Sequence, residues 1–269
     1  MIYTLKQFPD KKFTDKMDQT NFIKANFREL HALKKSEYKI KSEAVLKAEM
    51  LGGTYVPDIQ TGLSDIIEVK AVINTTNVID SHMDLHMKDI WNKTVADNPF
   101  NPVLKQHEQR FESVIANKAR NINEAMNFKD LGVNADFDMI ANCNIFLIDK
   151  AKQPLMYSKY ANGEVEQHSV GMMYVDYDIA YYDETSQKEM DFFDAALKLC
   201  INPEVAEEAG YVFLVREAKK REGSAVVFGS NSITPTLYVK NYEPQTSTYK
   251  AEPSKDTQKV TKFINPNLF

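Results

Sequence analysis

The sequence predicts an α+β fold built on a mainly antiparallel, closed β-sheet with surrounding helices. Three features predict it. Segments of period-two alternation outnumber helical ones in the middle of the chain. No regular β-α-β alternation appears, so a doubly wound parallel sheet is not expected. Helical spacing appears instead in the N-terminal arm and in one stretch between strands, Glu189 to Ile201.

The chain has 269 residues, 43% hydrophobic and 26% charged, with 33 basic and 38 acidic side chains. That size accommodates one large core with extensions. No apolar run approaches the roughly 18 residues of a membrane span. The first residues lack the apolar stretch and small-residue cleavage site of a secretion signal. Two cysteines, Cys143 and Cys200, make no disulfide framework, which fits a reducing cytoplasm. A net charge of −5 argues against a general nucleic-acid binder.

Residues 1–52 read as an N-terminal helical arm. Residues 1–50 carry 11 basic and 7 acidic side chains, so the arm is positive while the rest of the chain is negative. Phe22, Ile23, Phe27 and Leu30 recur at helical spacing, and Gly52-Gly53 is a stop signal. The favoured reading is a solvated arm packed on the core, ahead of a scaffold or nucleic-acid contact.

Residues 53–242 form the main domain. Ile66 to Asn74 is rich in β-branched residues and reads as a strand. From Leu131 to Met139, apolar residues alternate with mostly polar neighbours, a half-buried strand. Gln167 to Asp178 and Ser224 to Phe228 are two more, and Tyr211 to Arg216 is a strand or a helix end. Between them, Glu189 to Ile201 has helical spacing, and Asn202-Pro203 breaks that helix and opens the next. Residues 243–269 form a polar, flexible C-terminal tail that ends in Phe263, Ile264, Leu268 and Phe269.

Five histidines narrow the chemistry. His31 reads as a surface residue of the arm. His82 and His86 sit four apart beside Asp80, Asp84 and Asp89. On a helix that spacing puts two imidazoles on one face, as in some zinc sites. The HExxH pattern is absent and no Cys or further His lies nearby, so a polar turn is favoured over a metal site. A metal-dependent hydrolase built there is kept as a separate class. His107 closes the apolar run Asn101 to Gln106 at a polar edge. Ser169 lies inside a strand with Gly171 on its own face, while His168 points to the other face and is not its natural base. A hydroxyl needs a base to become a useful nucleophile, and His107 is the available one. Glu222 leads a short apolar strand that ends in Gly229-Ser230-Asn231, and it has the chemistry to orient an imidazole.

These segments together resemble the tailed-phage prohead serine protease family, relatives of herpesvirus assemblin. The resemblance rests on Gln106-His107-Glu108, then Ser169-Val170-Gly171, then Glu222-Gly-Ser224-Ala-Val226 followed by Asn231, with an Asp-rich turn at 80–84 upstream. It covers about residues 65–240. It implies an assemblin-like barrel with Ser169 as nucleophile, His107 as general base, Glu222 as third member with Glu217 as fallback, and backbone N–H groups as oxyanion donors. No cofactor or metal is implied. The expected activity is that of a serine endopeptidase in the host cytoplasm, inside the prohead. It would cut the phage major capsid protein and scaffold before the genome is packaged, with possible self-cleavage of the termini. A homodimer is also within what the resemblance implies; a membrane or a specific nucleic acid is not. Two departures stand out: an insertion between Val175 and Tyr211, and Gly229 where the family commonly has Pro. The competing class is a non-catalytic head-assembly protein that keeps the fold.

Overall fold

Aromatic and β-branched residues crowd Gln167–Tyr181 and the start of Tyr211–Val226, a composition that favours paired strands. In the computed structural model, which describes residues 3–36 and 55–243, these two segments are strands β9 and β10. They pair antiparallel from Tyr181↔Tyr211 to Gln167↔Val226. Tyr211 to Arg216 and Ser224 to Val226 thus belong to one strand rather than two. The insertion beyond Val175 continues that ribbon and then adds two helices, α5 (Gln187–Leu197) and α6 (Pro203–Ala209), before β10 begins. Pro203 opens α6 where its missing N–H has no helical partner to lose.

In chain order the other strands are β1 (Tyr3–Leu5), β2 (Phe8–Phe13), β3 (Asp58–Ile59), β4 (Ile66–Thr75), β5 (Asp84–His86), β6 (Phe100–Lys105), β7 (Val114–Asn127), β8 (Asp138–Asp149) and β11 (Thr236–Asn241). The remaining helices are α1 (Lys16–Ala25), α2 (Phe27–Ser36), α3 (Asn92–Asp97) and α4 (Pro154–Ala161). Strands β1 and β2 form a separate hairpin. The main sheet runs β3-β11-β4-β8-β7-β6-β10-β5, with β9 on β10.

This sheet is mixed, so the expectation of a mainly antiparallel one is met only in part. Five of its pairings are antiparallel, but β10 takes both β5 and β6 in parallel, and β11 takes β3 in parallel. The cause is the length of β10: one edge is filled by β9, and the other accepts two short strands from far upstream. No hairpin connects those partners, so local alternation carries no trace of their direction.

Other expectations shift too. The predicted strand at Leu131–Met139 is mostly a tight corner: a 3₁₀ turn spans Phe128–Leu131, and Gly132 takes φ 75°. Side chains of Asn127 and Asp130 cap that turn reciprocally, and the strand itself begins at Asp138. The arm holds a hairpin as well as two helices, which break at Asn26. Leu5, Phe13, Ile23 and Leu30 are buried in the main core with Trp91, Phe146 and Phe213, so the arm is part of the fold. Its predicted end at Gly52-Gly53, and the C-terminal tail from residue 244, lie outside the described residues. No helix among the described residues is long and apolar enough to cross a membrane.

Candidate active site

Strand β6 runs beside β10 with Val103↔Gly223, Leu104↔Ser224 and Lys105↔Ala225 in register, and the Gln106 N–H donates to the Ala225 carbonyl at 2.9 Å. The chain then turns back sharply. Gln106 and His107 have φ of 51° and 58°, the left-handed region that non-glycine residues adopt only where surroundings impose it. The turn lays His107 over β10. Its backbone N–H donates to Ser224 Oγ at 3.2 Å, and its ring Nδ1 lies 2.6 Å from Glu222 Oε1. The other carboxylate oxygen, Oε2, accepts the Ser224 hydroxyl at 2.7 Å.

A carboxylate can only accept, so Nδ1 carries the proton in this contact and Nε2 is the ring nitrogen left with a lone pair. That is the tautomer a general base requires. Ser169 stands one strand further on. It pairs directly with Ser224 in the β9–β10 ladder, and Gly171 pairs with Glu222. Directly opposed residues share a sheet face, with Cβ atoms about 5 Å apart. Ser169, Gly171, Glu222 and Ser224 therefore form one patch, with His107 folded onto it. Among the described residues no hydrogen bond joins the Ser169 hydroxyl to His107.

A bulge in β10 separates two environments. The register shifts between Lys220 and Glu222. Glu222 thereby meets His107, while Lys220 and Gly223 both face Asn144 on the other side. The Lys220 ammonium donates to Asn121, Asn142 and Asn144 side-chain oxygens at 3.1, 2.7 and 3.0 Å. A Cβ on Gly223 would come within 2.5 Å of Asn144 Oδ1, so the position requires glycine. Burial pushes the Lys220 pKa down to about 7.

His168 lies on the face opposite Ser169, as the alternation predicts. It is fully buried, with Nε2 2.9 Å from the Tyr160 hydroxyl and Nδ1 3.0 Å from the Thr234 carbonyl. Burial lowers its pKa to about 4. Glu217 pairs with Lys93 at 3.1 Å, so Glu222 and not Glu217 reaches His107. Glu108, next to His107 in sequence, accepts from the Ser113 hydroxyl. The insertion before β10 leaves Glu222 in place because the β9 ladder fixes its register.

Gly229 also finds a local reason. A Cβ there would approach the His168 carbonyl to 2.8 Å, and its N–H donates to Gln167 Oε1 at 2.9 Å. Proline supplies neither the space nor the donor. Asn231 accepts from the Thr75 hydroxyl and the Ile233 N–H and donates to the Thr75 carbonyl, anchoring the turn.

The other histidines stand apart. His82 and His86 do not share a helix: Met83 between them has φ 62°, and His86 lies on β5. Potential ligand atoms of Asp80, Asp84 and His86 fall within 4.8 Å of one another. Asp84 is already bound to the Lys34 ammonium at 2.6 Å and to the Tyr174 hydroxyl. Asp80 Oδ1 accepts the N–H groups of His82 and Asp84, and His86 Nδ1 contacts Asn74 Oδ1. An ammonium on the carboxylate supplies the charge a cation would otherwise bring, so the cluster fits an ion-paired turn better than a metal centre. His31 is half-buried, its ring stacked on Tyr177.

Sequence reasoning gave no role to Ser224 or to the lysine–asparagine cluster. For Ser224 the signal is its place in the segment Glu222-Gly-Ser224-Ala-Val226 on which the resemblance rests. For the cluster a signal existed: Asn121 and Asn123, and Asn142 and Asn144, alternate along two strands. Comparison with family models, curated proteins and solved structures finds no match for this chain.

Proposed function

We propose that the chain is a serine endopeptidase of the prohead type, with Ser169 as nucleophile, His107 as general base and Glu222 as the residue that orients it. The observation that carries this reading is the 2.6 Å contact between His107 Nδ1 and Glu222 Oε1, across 115 residues, on the sheet face of Ser169.

In this mechanism His107 Nε2 takes the Ser169 proton as the hydroxyl oxygen attacks a peptide carbonyl. The Glu222 carboxylate stabilises the imidazolium that forms. The proton then passes to the leaving amine, the C–N bond breaks, and water repeats the sequence on the acyl-enzyme. Catalytic hydrogen bonds are often long before substrate binds, so the absence of a Ser169–His107 bond is compatible with this route. The substrates would be the phage major capsid protein and scaffold, in the host cytoplasm inside the prohead, where enclosure raises effective concentration.

The finer architecture fits as well. His168 donates its N–H to the Thr234 carbonyl at 3.1 Å, and Val72 donates to the Pro235 carbonyl at 2.9 Å. Residues 234–235 thereby link β9 to β4, the connection a closed, assemblin-like barrel requires.

A non-catalytic head-assembly role is favoured by one observation: Ser169 and His107 are both largely buried and not bonded to each other. One experiment separates the two. The full chain is co-expressed with the capsid protein of the same phage, with Ser169→Ala in parallel. A shortened capsid product with the parent protein and none with Ser169→Ala is expected. Cleavage that survives Ser169→Ala removes the proposal, and no cleavage by either protein favours the assembly role.

A further inference from the structure

We infer that Ser224 is a positioning residue of this site: its hydroxyl locks both the turn and the carboxylate that together orient His107. The inference rests on the protease reading for its importance but not for its geometry. Ser224 is fully buried, and its oxygen does two things at once. It accepts the His107 backbone N–H at 3.2 Å and donates its proton to Glu222 Oε2 at 2.7 Å. Glu222 Oε1 is thereby left for His107 Nδ1 at 2.6 Å.

The sequence Glu222-Gly-Ser224 makes this possible. Residues two apart on a strand share a face, so one hydroxyl reaches the neighbouring carboxylate. Leu104 and Ser169 flank Ser224 on either side in the ladder, which fixes its position against both β6 and β9. The two consecutive left-handed residues, Gln106 and His107, need a reason to persist, and a hydrogen bond from the second to a buried acceptor provides one. Other charged groups nearby are otherwise engaged. Glu108 is bound to Ser113, and Lys220 lies on the opposite face among asparagines. Glu222 is the carboxylate on the ring.

The test uses full-length Ser169→Ala protein labelled at histidine. Proton NMR at neutral pH follows the Nδ1–H of His107, which in a short bond to a carboxylate gives a downfield, slowly exchanging resonance. Adding Ser224→Ala is expected to abolish that resonance, and Ser224→Thr, which keeps the hydroxyl, to retain it. In the Ser169 parent, Ser224→Ala is expected to lower kcat at least tenfold with KM within twofold, and Ser224→Thr to restore most of the rate. If Ser224→Ala does not fold, Ser224→Cys replaces it, being of similar size with a weak donor. Retention of the resonance in a folded Ala or Cys variant overturns the inference, whatever happens to the rate. Loss of the resonance in the Thr variant as well also overturns it, because packing and not the hydroxyl would then be responsible. A resonance that behaves as expected in a protein that cleaves nothing leaves Ser224 as a positioning group and sinks the protease reading alone.

Discussion

His107 meets Glu222 because β6 runs parallel to β10 for three residue pairs and then reverses within two left-handed residues. A hairpin would have brought neighbours in sequence together; this arrangement joins residues 115 apart. The site is therefore as robust as the β6–β10 register, and its members fail as a unit.

Glu222→Gln should keep the shape of the site and remove its charge. Cleavage of the capsid protein is expected to fall about 10²–10⁴-fold, in line with losing the carboxylate that orients a catalytic imidazole. Glu217→Gln, which breaks only the contact with Lys93, should leave the rate within twofold. Equal losses in the two variants would remove Glu222 from the mechanism.

Ser169→Ala and His107→Ala should each reduce cleavage to background, and the double variant should be no worse than either single one. Initial rates of capsid-protein processing, with circular dichroism to confirm folding, provide the measurement. Additive losses would mean that the two residues do not act in one step.

Stability should depend on pH through His168. Its folded pKa of about 4 lies below the ordinary value near 6.5, so the unfolded chain binds the extra proton between those limits. The contribution is fully present above about pH 6.5 and is lost as pH falls towards 4, about 3 kcal/mol in all. Urea unfolding at pH 7 and pH 4.5, compared with His168→Gln, should show the smaller acid loss in the variant.

Lys220 works in the opposite range. With a folded pKa of about 7 against an ordinary 10.4, the unfolded state holds the extra proton from about pH 7 to about 10.4, so stability rises with pH there. Lys220→Met should flatten that rise. It should also cost about 1–3 kcal/mol at pH 7, because Asn142 Oδ1 loses its donor while Asn121 and Asn144 each keep one from a neighbouring asparagine. Unfolding midpoints at pH 7 and pH 9 decide the matter; an unchanged slope in the variant would assign the proton elsewhere.

Gly229→Pro should destabilise by about 2 kcal/mol or more, since it removes the donor to Gln167 and crowds the His168 carbonyl. Thermal unfolding checks it.

The same contacts explain what the sequence revealed. Ser169 and Gly171 were legible as one face of a strand because alternation there is regular, and β4 and α5 followed from β-branched runs and helical spacing. Strands β7 and β8 were not, because their inner faces carry Asn121, Asn142 and Asn144 where apolar residues would mark the period. Their burial is paid for by Lys220, which in sequence looks like one more charge in the run Arg216–Glu222. The sheet's mixed direction was equally hidden, since β5 and β6 reach β10 through contacts distant in sequence. The β1–β2 hairpin escaped notice because Phe8–Phe13 alternates poorly and is mostly exposed.

The buried bond between Lys34 and Asp84 decides what a cut in the arm would do. Lys34 lies over the Tyr174 and Phe213 rings, while Leu5, Ile23 and Leu30 fill the core beneath the arm. If the chain were cut after residue 36, the amino-terminal piece would not diffuse away, because leaving would strand a carboxylate in an apolar interior and open a gap beside it. The product would be a nicked heterodimer that sediments as the uncut protein does and parts into two fragments only in denaturant.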